Sequence, residues 1–382
     1  QKCKYFQVYK TDKDGRKRYE FTPVLQKAWE ELNLSLDSDV EYGLLSSTAM
    51  KDYLIKKGSG KGRMFYILEM VMTVAIRQHF LPVIEFISIH PLVTECAVGI
   101  NCSGPEWEEL ISYIENVTED RMASDEDFAH YDLSRPVNLT AGSQRIYHRI
   151  MEALGFAPRV VAKARRISYE LMHPHIDWNG TLIRAFLWIS GNSLTVYGNS
   201  TDNSLLHRAS YSNTCRTYSL TRKKFRDVCH MSTYGDDVLD AIKEMERHIL
   251  NFENFQKYCI SLGMSVTRAN KTSNITGFEP MDNLDFLKRK SVFVPEIGCR
   301  IGALEWSSIM RNLHSSKIKL PEKMTQEDMA SDAVTMALHE AFAHGREKYD
   351  DLQELLGPIC KEYRVSSKML GKSFDKCITA WK

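Results

Sequence analysis

The sequence predicts an α+β fold in which an antiparallel sheet carries helices on one face. A glycine-centred turn at Gly235 lies between apolar stretches and indicates a β-hairpin. Residues 127–136 alternate in a way that suits a further strand, which we expect to run into a bend at Pro136. Apolar residues recur at helical spacing in 142–154 and 240–262, so these segments are expected to back the sheet.

The predicted hairpin presents two adjacent carboxylates, Asp236 and Asp237. Residues 225–231 form the first expected arm, and the second begins at Val238. Neighbouring side chains on a strand point to opposite faces, so these carboxylates can share one site only if the backbone turns at Gly235. Carboxylate ligands suit Mg²⁺ or Mn²⁺, although an acidic pair after glycine is more often a solvated turn. The metal hypothesis therefore depends on the motifs that accompany the pair.

Two polar motifs precede the hairpin. Asp127 and Asp132 are five residues apart, ahead of the Pro136 bend. Thr195 and Asn199 follow the Ser190-Gly191 turn at a spacing of four, so a helix would place both on one face. Taken alone, Asp132 and Asn199 could simply bond nearby backbone groups.

Basic motifs lie at both ends of this region. The segment 51–63 ends in Lys61-Gly62-Arg63 and precedes a long apolar stretch. Residues 262–272 include Lys271, and Phe286-Leu287-Lys288-Arg289 follows shortly afterwards. Without further context, the basic segment could be an ordinary solvated loop, and the last motif could be a strand with one buried aromatic residue.

In order and wording, these six motifs resemble the RNA-dependent RNA polymerases of positive-strand RNA viruses, most closely the picornavirus-like group. That family has D-x-x-x-x-D, then S-G-x-x-x-T-x-x-x-N-S, then Y-G-D-D, and all three stand here in sequence. The basic K-x-R motif precedes them, and the lysine motif and the F-L-K-R primer-grip motif follow. The resemblance covers nearly the whole chain from residue 51.

The resemblance implies a two-metal nucleotidyl transferase. Asp127 and Asp236 would be the principal ligands of two Mg²⁺ or Mn²⁺ ions, with Asp237 a weaker or alternate ligand. Two such ions about 3.5 to 4 Å apart can clamp the attacking and leaving oxygens of phosphoryl transfer. Lys271 resembles the family's proton donor to the leaving pyrophosphate, a role that suits an ammonium group near phosphate.

The resemblance also implies how a ribonucleoside triphosphate is recognised. Asp132 and Asn199 would form a hydrogen-bonded pair that senses the ribose 2′-hydroxyl, a group that both donates and accepts. Ser190 and Thr195 would support that pair.

The remaining motif residues would contact phosphate or RNA. The triphosphate would meet Lys61 and Arg63, which offer a point charge and a planar fork to its oxygens. Phe286, Leu287, Lys288 and Arg289 would contact the primer. The implied partners are an RNA template and primer, ribonucleoside triphosphates and, in such viruses, a protein primer.

The implied architecture is a right-hand polymerase with fingers, palm and thumb. We expect residues 1–84 to be fingers, 85–165 palm, 166–187 a fingers insertion, 188–290 palm and 291–382 a helical thumb, in which 326–356 forms helices broken near Gly345. Only about 50 residues precede the basic motif, so the fingers are expected to be truncated at the N-terminus. Gln1 stands where an initiator methionine would be, which suggests a piece of a longer polyprotein.

Composition sets limits on this prediction. The 50 basic and 49 acidic residues nearly balance, so RNA binding depends on local basic patches rather than on net charge. Nine scattered cysteines suit a reducing compartment, and the expected location is a replication complex in the host cytoplasm. The most apolar run, 80–89, contains Glu85 and is shorter than the roughly 20 residues of a membrane span, so no membrane segment is expected.

Two alternatives stay open. A reverse transcriptase also has paired palm aspartates, but such enzymes place a bulky aromatic residue where Asp132 stands. A non-catalytic RNA-binding replication fragment is the other alternative, because the N-terminal part is short. Loss of nucleotide addition with retained RNA affinity would favour that fragment.

Overall fold

The computed structural model describes residues 4–11, 13, 15–50, 62, 64–269, 277–314 and 324–381. Its strands are β1 (Phe6–Thr11), β2 (Lys17–Phe21), β3 (Leu45–Met50), β4 (Met64–Leu68), β5 (Met122–Ala129), β6 (His175–Trp178), β7 (Thr181–Arg184), β8 (Cys229–Tyr234), β9 (Asp237–Ile242), β10 (Ser265–Thr267), β11 (Glu279–Pro280), β12 (Arg289–Val294) and β13 (Cys299–Leu304). The predicted α+β class is confirmed.

The helices are α1 (Pro23–Leu36), α2 (Met70–Ile89), α3 (Pro91–Thr94), α4 (Pro105–Glu115), α5 (Tyr131–Ser134), α6 (Val137–Ala153), α7 (Pro158–Met172), α8 (Thr195–Thr217), α9 (Phe252–Ser261), α10 (Trp306–Leu313), α11 (Gln326–Ala341), α12 (Arg346–Glu362) and α13 (Phe374–Trp381). Short 3-10 turns connect several of them.

An antiparallel sheet with the strand order β10-β5-β9-β8 lies at the centre of the chain, and β11 also pairs with β5. One face of this central sheet packs on α8 and α9, where Phe128 and Val238 join Leu206 and Phe255 in an apolar core. The other face packs on Trp107 and its neighbours in α4. Helices therefore cover both faces, whereas the sequence predicted them on one.

The N-terminal part has its own sheet, with the order β4-β3-β6-β7. Its apolar core is shared with α1, α2 and α7 and includes Leu32, Met72, Phe80 and Ile167. Strands β3 and β4 pair antiparallel from Ser46–Leu68 to Met50–Met64, so Met50 and Met64 lie side by side at one end of this sheet.

The C-terminal part consists of the β12–β13 hairpin and helices α10 to α13 around a third core. The predicted helix break near Gly345 is confirmed: α11 ends at Ala341, and α12 begins at Arg346 after Gly345 adopts a φ of 85°. The positions of these cores do not define the predicted boundaries between fingers, palm and thumb, which stay predictions.

Three local predictions were wrong. The strand predicted over 127–136 ends at Ala129, because His130 takes a left-handed φ of 53° and the backbone then forms α5. The first hairpin arm begins at Cys229 rather than Phe225, since 225–227 is a 3-10 turn. Of the helix predicted over 240–262, only α9 forms; residues up to Ile242 continue β9.

The apolar run 80–89 belongs to a longer helix than its composition suggested. Helix α2 has 20 residues, and by length and apolar composition it is the one helix in the described part of the chain that could cross a membrane. Val71, Ala75, Ile76 and Phe80 are buried in the N-terminal core, as they would be in an interior helix. The eight cysteines within the described ranges are all free thiols.

Candidate active site

The β8–β9 hairpin places two aspartates at the end of the central sheet. Tyr234 pairs with Asp237, so Gly235 and Asp236 are the two residues of the turn. Gly235 has a φ of 68°, a conformation that glycine adopts at little cost. Two side chains of α8 fix the turn: Ser200 Oγ accepts from the Gly235 amide at 2.9 Å, and Asn203 Nδ2 donates to the Gly235 carbonyl at 2.9 Å.

The strand beside the hairpin brings a third aspartate to the same place. Glu126 of β5 pairs with Val238 of β9. One step further along these antiparallel strands, Asp127 lies opposite Asp237. The structure therefore brings together the three carboxylates that the sequence predicted as metal ligands.

The electrostatics of Asp237 reflect this proximity. Burial raises its pKa to about 7, with the charges of Asp236 and Asp127 adding to the effect and Lys288 opposing it. Two nearby anions disfavour a third, which is the behaviour expected of carboxylates that share one site. A divalent cation would relieve this repulsion, so the donor set fits hard metal ions such as Mg²⁺ or Mn²⁺.

The Ser190-Gly191 turn leads into α8 as predicted. The Tyr66 amide donates to Ser190 Oγ at 3.4 Å, and Thr195 Oγ1 donates to the Ile189 carbonyl at 3.0 Å. Gly191 is required by close approach, since a Cβ there would lie 1.9 Å from the Tyr66 carbonyl oxygen. The turn is thereby fixed against β4 of the N-terminal sheet.

The predicted bond between Asp132 and Asn199 is not present among the described residues. Arg135 donates from Nη1 to Asn199 Oδ1 and, at 2.8 Å, to Asp202 Oδ2. The guanidinium thus binds the Asn199 amide oxygen, whereas a direct pair with the Asp132 carboxylate would use the Asn199 NH₂ group as donor. Asp132 still exerts its charge nearby: the pKa of Tyr66 is raised, first by burial and then by Asp132.

The F-L-K-R motif is a tight turn at the entry to β12. Leu287 and Lys288 both have left-handed φ values, 58° and 59°, and Phe286 and Arg289 exchange backbone hydrogen bonds of 3.0 and 2.9 Å. Phe286 is buried against Trp107. Arg289 is held by a two-bond ion pair with Glu340 of α11, at 2.7 and 2.8 Å. The exposed Lys288 is left at the tip of the turn, within electrostatic reach of Asp237.

Three predicted site residues, Lys61, Arg63 and Lys271, lie outside the described residues. The structure does show the partners of Arg268 and Lys257, two basic residues near Lys271 in the sequence. Arg268 is buried and pairs with Asp125 at 3.0 Å, so it is committed to the interior. Lys257 pairs on the surface with Glu253 at 2.6 Å.

Sequence reasoning missed a buried polar cluster below the site. Glu126, His207 and Asp240 each expose 3% or less of their surface and lie on the face of the sheet that packs on α8. Burial raises the pKa of Asp240, as does Glu126; burial alone would lower the pKa of His207, but Glu126 outweighs it and the pKa is raised. The acidic run 125–127 in β5 was the one sequence signal for this cluster.

Comparisons with known proteins agree with the predicted resemblance. The family model for viral RNA-dependent RNA polymerase matches residues 2–364. The chain is 25% identical over 384 aligned positions to the genome polyprotein of Rice tungro spherical virus (strain Vt6), with 96% of this chain and 11% of the polyprotein covered. It is 24% identical to the replicase polyprotein of Drosophila C virus (strain EB), with 88% and 20% covered. The chain thus spans a tenth to a fifth of the length of these relatives.

A solved structure shows the same fold. The Sicinivirus 3Dpol RNA dependent RNA polymerase superposes with a TM-score of 0.71 at 16% identity, over 99% of this chain and 73% of that one. The predicted right-hand polymerase fold is therefore confirmed, with its antiparallel sheet carrying the three clustered aspartates.

Proposed function

The chain belongs to the viral RNA-dependent RNA polymerase family, and from this premise we propose that it synthesises RNA on an RNA template during viral replication. The proposal rests on one observation above all: Asp127, Asp236 and Asp237 converge at one end of the central sheet. Each added ribonucleotide would be joined to a primer 3′-hydroxyl with release of pyrophosphate.

The aspartates would hold two divalent cations, Mg²⁺ or Mn²⁺, which supply charge stabilisation to phosphoryl transfer when bound. Asp236 stands in the turn itself, and two α8 side chains fix the backbone of the preceding Gly235. Asp127 and Asp237 are held on paired strands. Such rigid placement costs no reorganisation when negative charge develops on the transferring phosphate.

Selection of ribose would depend on Asp132 and Asn199. Arg135 occupies the Asn199 amide oxygen, so the Asn199 amide NH₂ group is the part that can donate to a sugar hydroxyl. Asp132 supplies an acceptor. Together they would match the 2′-hydroxyl, which accepts one hydrogen bond and donates another. Ser190 and Thr195 would support this arrangement through the turn before α8.

Contacts with RNA and triphosphate complete the proposal. Lys288, at the tip of its turn, would contact the primer backbone, while Phe286 and Arg289 anchor that turn and Leu287 shares its strained conformation. Lys61 and Arg63 would meet the triphosphate, and Lys271 would protonate pyrophosphate. The fingers, palm and thumb boundaries, a protein primer and a location in cytoplasmic replication complexes belong to the same proposal.

The test is primer extension on an RNA template with Mg²⁺ and either ribonucleotides or deoxyribonucleotides. We expect extension with ribonucleotides only. Asp236→Asn should reduce it by more than about a thousandfold, because several kcal/mol of transition-state stabilisation depend on the metal site. The matched control is Asp351→Asn, an exposed aspartate on α12, which should extend like the unmodified chain.

The two alternatives give different results. Extension with deoxyribonucleotides would indicate a reverse transcriptase. Tight RNA binding without extension by any variant would indicate a binding role, or a need for polypeptide that precedes this segment. Repeating the assay with a longer N-terminus separates those two explanations.

A further inference from the structure

The buried cluster of Glu126, His207 and Asp240 has the composition of a metal site separate from the catalytic aspartates. It joins three elements, since Glu126 lies on β5, Asp240 on β9 and His207 on α8. One potential ligand atom from each side chain lies within 4.8 Å of the other two. Alternation along β5 directs Glu126 to the face that packs on α8, opposite to Asp127.

Hydrogen bonding sets the tautomer of His207. Its Nδ1 lies 2.9 Å from the Asn203 carbonyl oxygen, which can only accept, so Nδ1 carries a proton and donates. In the neutral ring, Nε2 then presents a lone pair to Glu126 Oε2, 2.9 Å away. A lone pair facing a carboxylate requires a cation between them, either a proton or a metal ion. A metal-binding histidine usually donates its other N–H to a carbonyl in this way.

Two further polar atoms at the cluster have no partner. A small cavity of about 10 Å³ is lined by Ser124, Glu126, His207 and Asp240, together with Ser210, Asn251 and surrounding apolar side chains. Ser124 Oγ and Asp240 Oδ1 make no hydrogen bond, and each of these two residues exposes only 2% of its surface to solvent. Buried oxygens without partners are rare in folded proteins, and this cavity has room for one ion or one water molecule.

The cluster contains two carboxylates and one basic side chain, His207, whose Nε2 lies 2.9 Å from Glu126 Oε2. No lysine or arginine within the described ranges forms an ion pair with Glu126 or Asp240. The nearest interior cation, Arg268, is paired with Asp125 and approaches Glu279 at 3.8 Å. Two carboxylates that share one imidazole as their basic partner are costly to bury.

We propose that Glu126, His207 and Asp240 bind one divalent transition-metal ion, with zinc as the best match, and that this ion ties β5, β9 and α8 together beneath the catalytic carboxylates. One imidazole nitrogen and two carboxylate oxygens are ordinary zinc ligands, with the Ser124 hydroxyl or a water molecule in the fourth position. Imidazole disfavours Mg²⁺ and Ca²⁺. Tetrahedral zinc ligands lie about 3.3 Å apart, so His207 and Glu126 would separate by only a few tenths of an ångström.

Metal analysis tests the proposal independently of polymerase activity. Untagged protein carrying Asp236→Asn, which weakens the catalytic site, is refolded or purified with zinc, passed through a chelating column and analysed by mass spectrometry. We expect one retained zinc ion per chain. His207→Gln should lower zinc affinity by more than about a hundredfold, since it removes a ligand outright.

His148→Gln provides the matched control. His148 is another buried histidine, but its Nε2 lies 3.1 Å from the Ser168 hydroxyl and not from a carboxylate. This variant should keep its zinc. Equal zinc retention in the two histidine variants, or none in the parent protein, would overturn the proposal.

Anomalous diffraction at the zinc edge, on crystals of the unmodified chain, keeps the test decisive if His207→Gln fails to fold. A peak between Glu126, His207 and Asp240 supports the site. A peak only at Asp127 and Asp236, or none, rejects it. Replacement of zinc by cobalt provides a third test, the visible absorption spectrum, because four-coordinate cobalt with nitrogen and oxygen ligands absorbs visible light strongly.

Discussion

Carboxylates on the same two strands of the central sheet lie in two different environments, one at the end of the sheet and one in its buried interior. Asp127 on β5 and Asp237 on β9 lie at the end of the sheet, beside the Asp236 turn. Glu126 and Asp240, on the same two strands, are buried against α8. Neighbouring acidic residues thus enter different surroundings, because successive strand side chains point to opposite faces.

This difference separates function from stability. At the sheet end, carboxylates repel one another and remain partly accessible, which suits the exchange of metal ions and substrate. In the interior of the sheet, charge must be matched within the fold, as Arg268 matches the buried Asp125 at 3.0 Å. Changes at these buried carboxylates should therefore alter the free energy of unfolding most, and changes at the sheet end should alter catalysis most.

The largest expected effect on stability comes from Arg268→Met. The substitution removes the cation that pairs with the fully buried Asp125, which exposes 0% of its surface. Leaving one charge of a buried pair uncompensated typically costs about 3–5 kcal/mol of unfolding free energy. Urea denaturation followed by circular dichroism measures this loss.

The double variant Asp125→Asn with Arg268→Met is the control for that prediction. It removes both charges, so it should recover a substantial part of the lost stability. If the single and double variants are equally destabilised, the pairing of these charges is not what Arg268 contributes. A single variant as stable as the parent would remove the contrast between the buried carboxylates and those at the sheet end.

Sequence patterns were most informative where a feature is local. The hairpin turn at Gly235 follows from glycine conformation, and the helix after Ser190-Gly191 follows from its spacing. The meeting of Asp127 with Asp236 came from the resemblance, since no local pattern pairs distant strands. The course of the chain after Asp127 was wrong because the left-handed turn at His130 has no signal in alternation.

The buried cluster lay beyond prediction for a related reason. Glu126, His207 and Asp240 come from three elements, and their meeting depends on strand register and on the rotation of α8. Likewise, the position of Arg135 between Asp202 and Asn199 could not be deduced from spacing. These contacts are tertiary, so one-dimensional periodicity does not contain them.

The partly exposed ion pair between Glu108 and Arg300 lies in a third environment, and its loss should have an intermediate effect on the free energy of unfolding. Hydrogen bonds from Arg300 of β13 lower the pKa of Glu108 on α4 to about 2, against a usual value of 4.5. The pair should contribute about 1 kcal/mol after allowance for solvent screening. That stability is fully present above pH 4.5 and is lost as the pH falls towards 2.

Acid titration of the unfolding free energy measures this contribution. Glu108→Gln should flatten the curve between pH 4.5 and about 2, while the exposed neighbour variant Glu109→Gln should leave it unchanged. A parent-like slope in Glu108→Gln would mean that other carboxylates control acid stability.

The smallest effect, and one of opposite sign, is expected from Asp236→Asn in the absence of metal. The pKa of Asp237 is raised from 3.8 to about 7, partly by Asp236. A raised folded-state pKa means that folding favours the protonated acid, so this carboxyl destabilises the fold increasingly as the pH rises from about 4 to 7. Removing the Asp236 charge lowers that penalty. In EDTA at pH 8, the variant should be more stable than the parent by less than about 1 kcal/mol, and the difference should vanish below pH 4. Mg²⁺ should reverse the order, because ion binding stabilises only the chain that retains its ligands. A variant that is less stable in EDTA at pH 8 would show that Asp236 supports the hairpin structurally, and the separation between functional carboxylates at the sheet end and structural carboxylates in the interior would then fail at this residue.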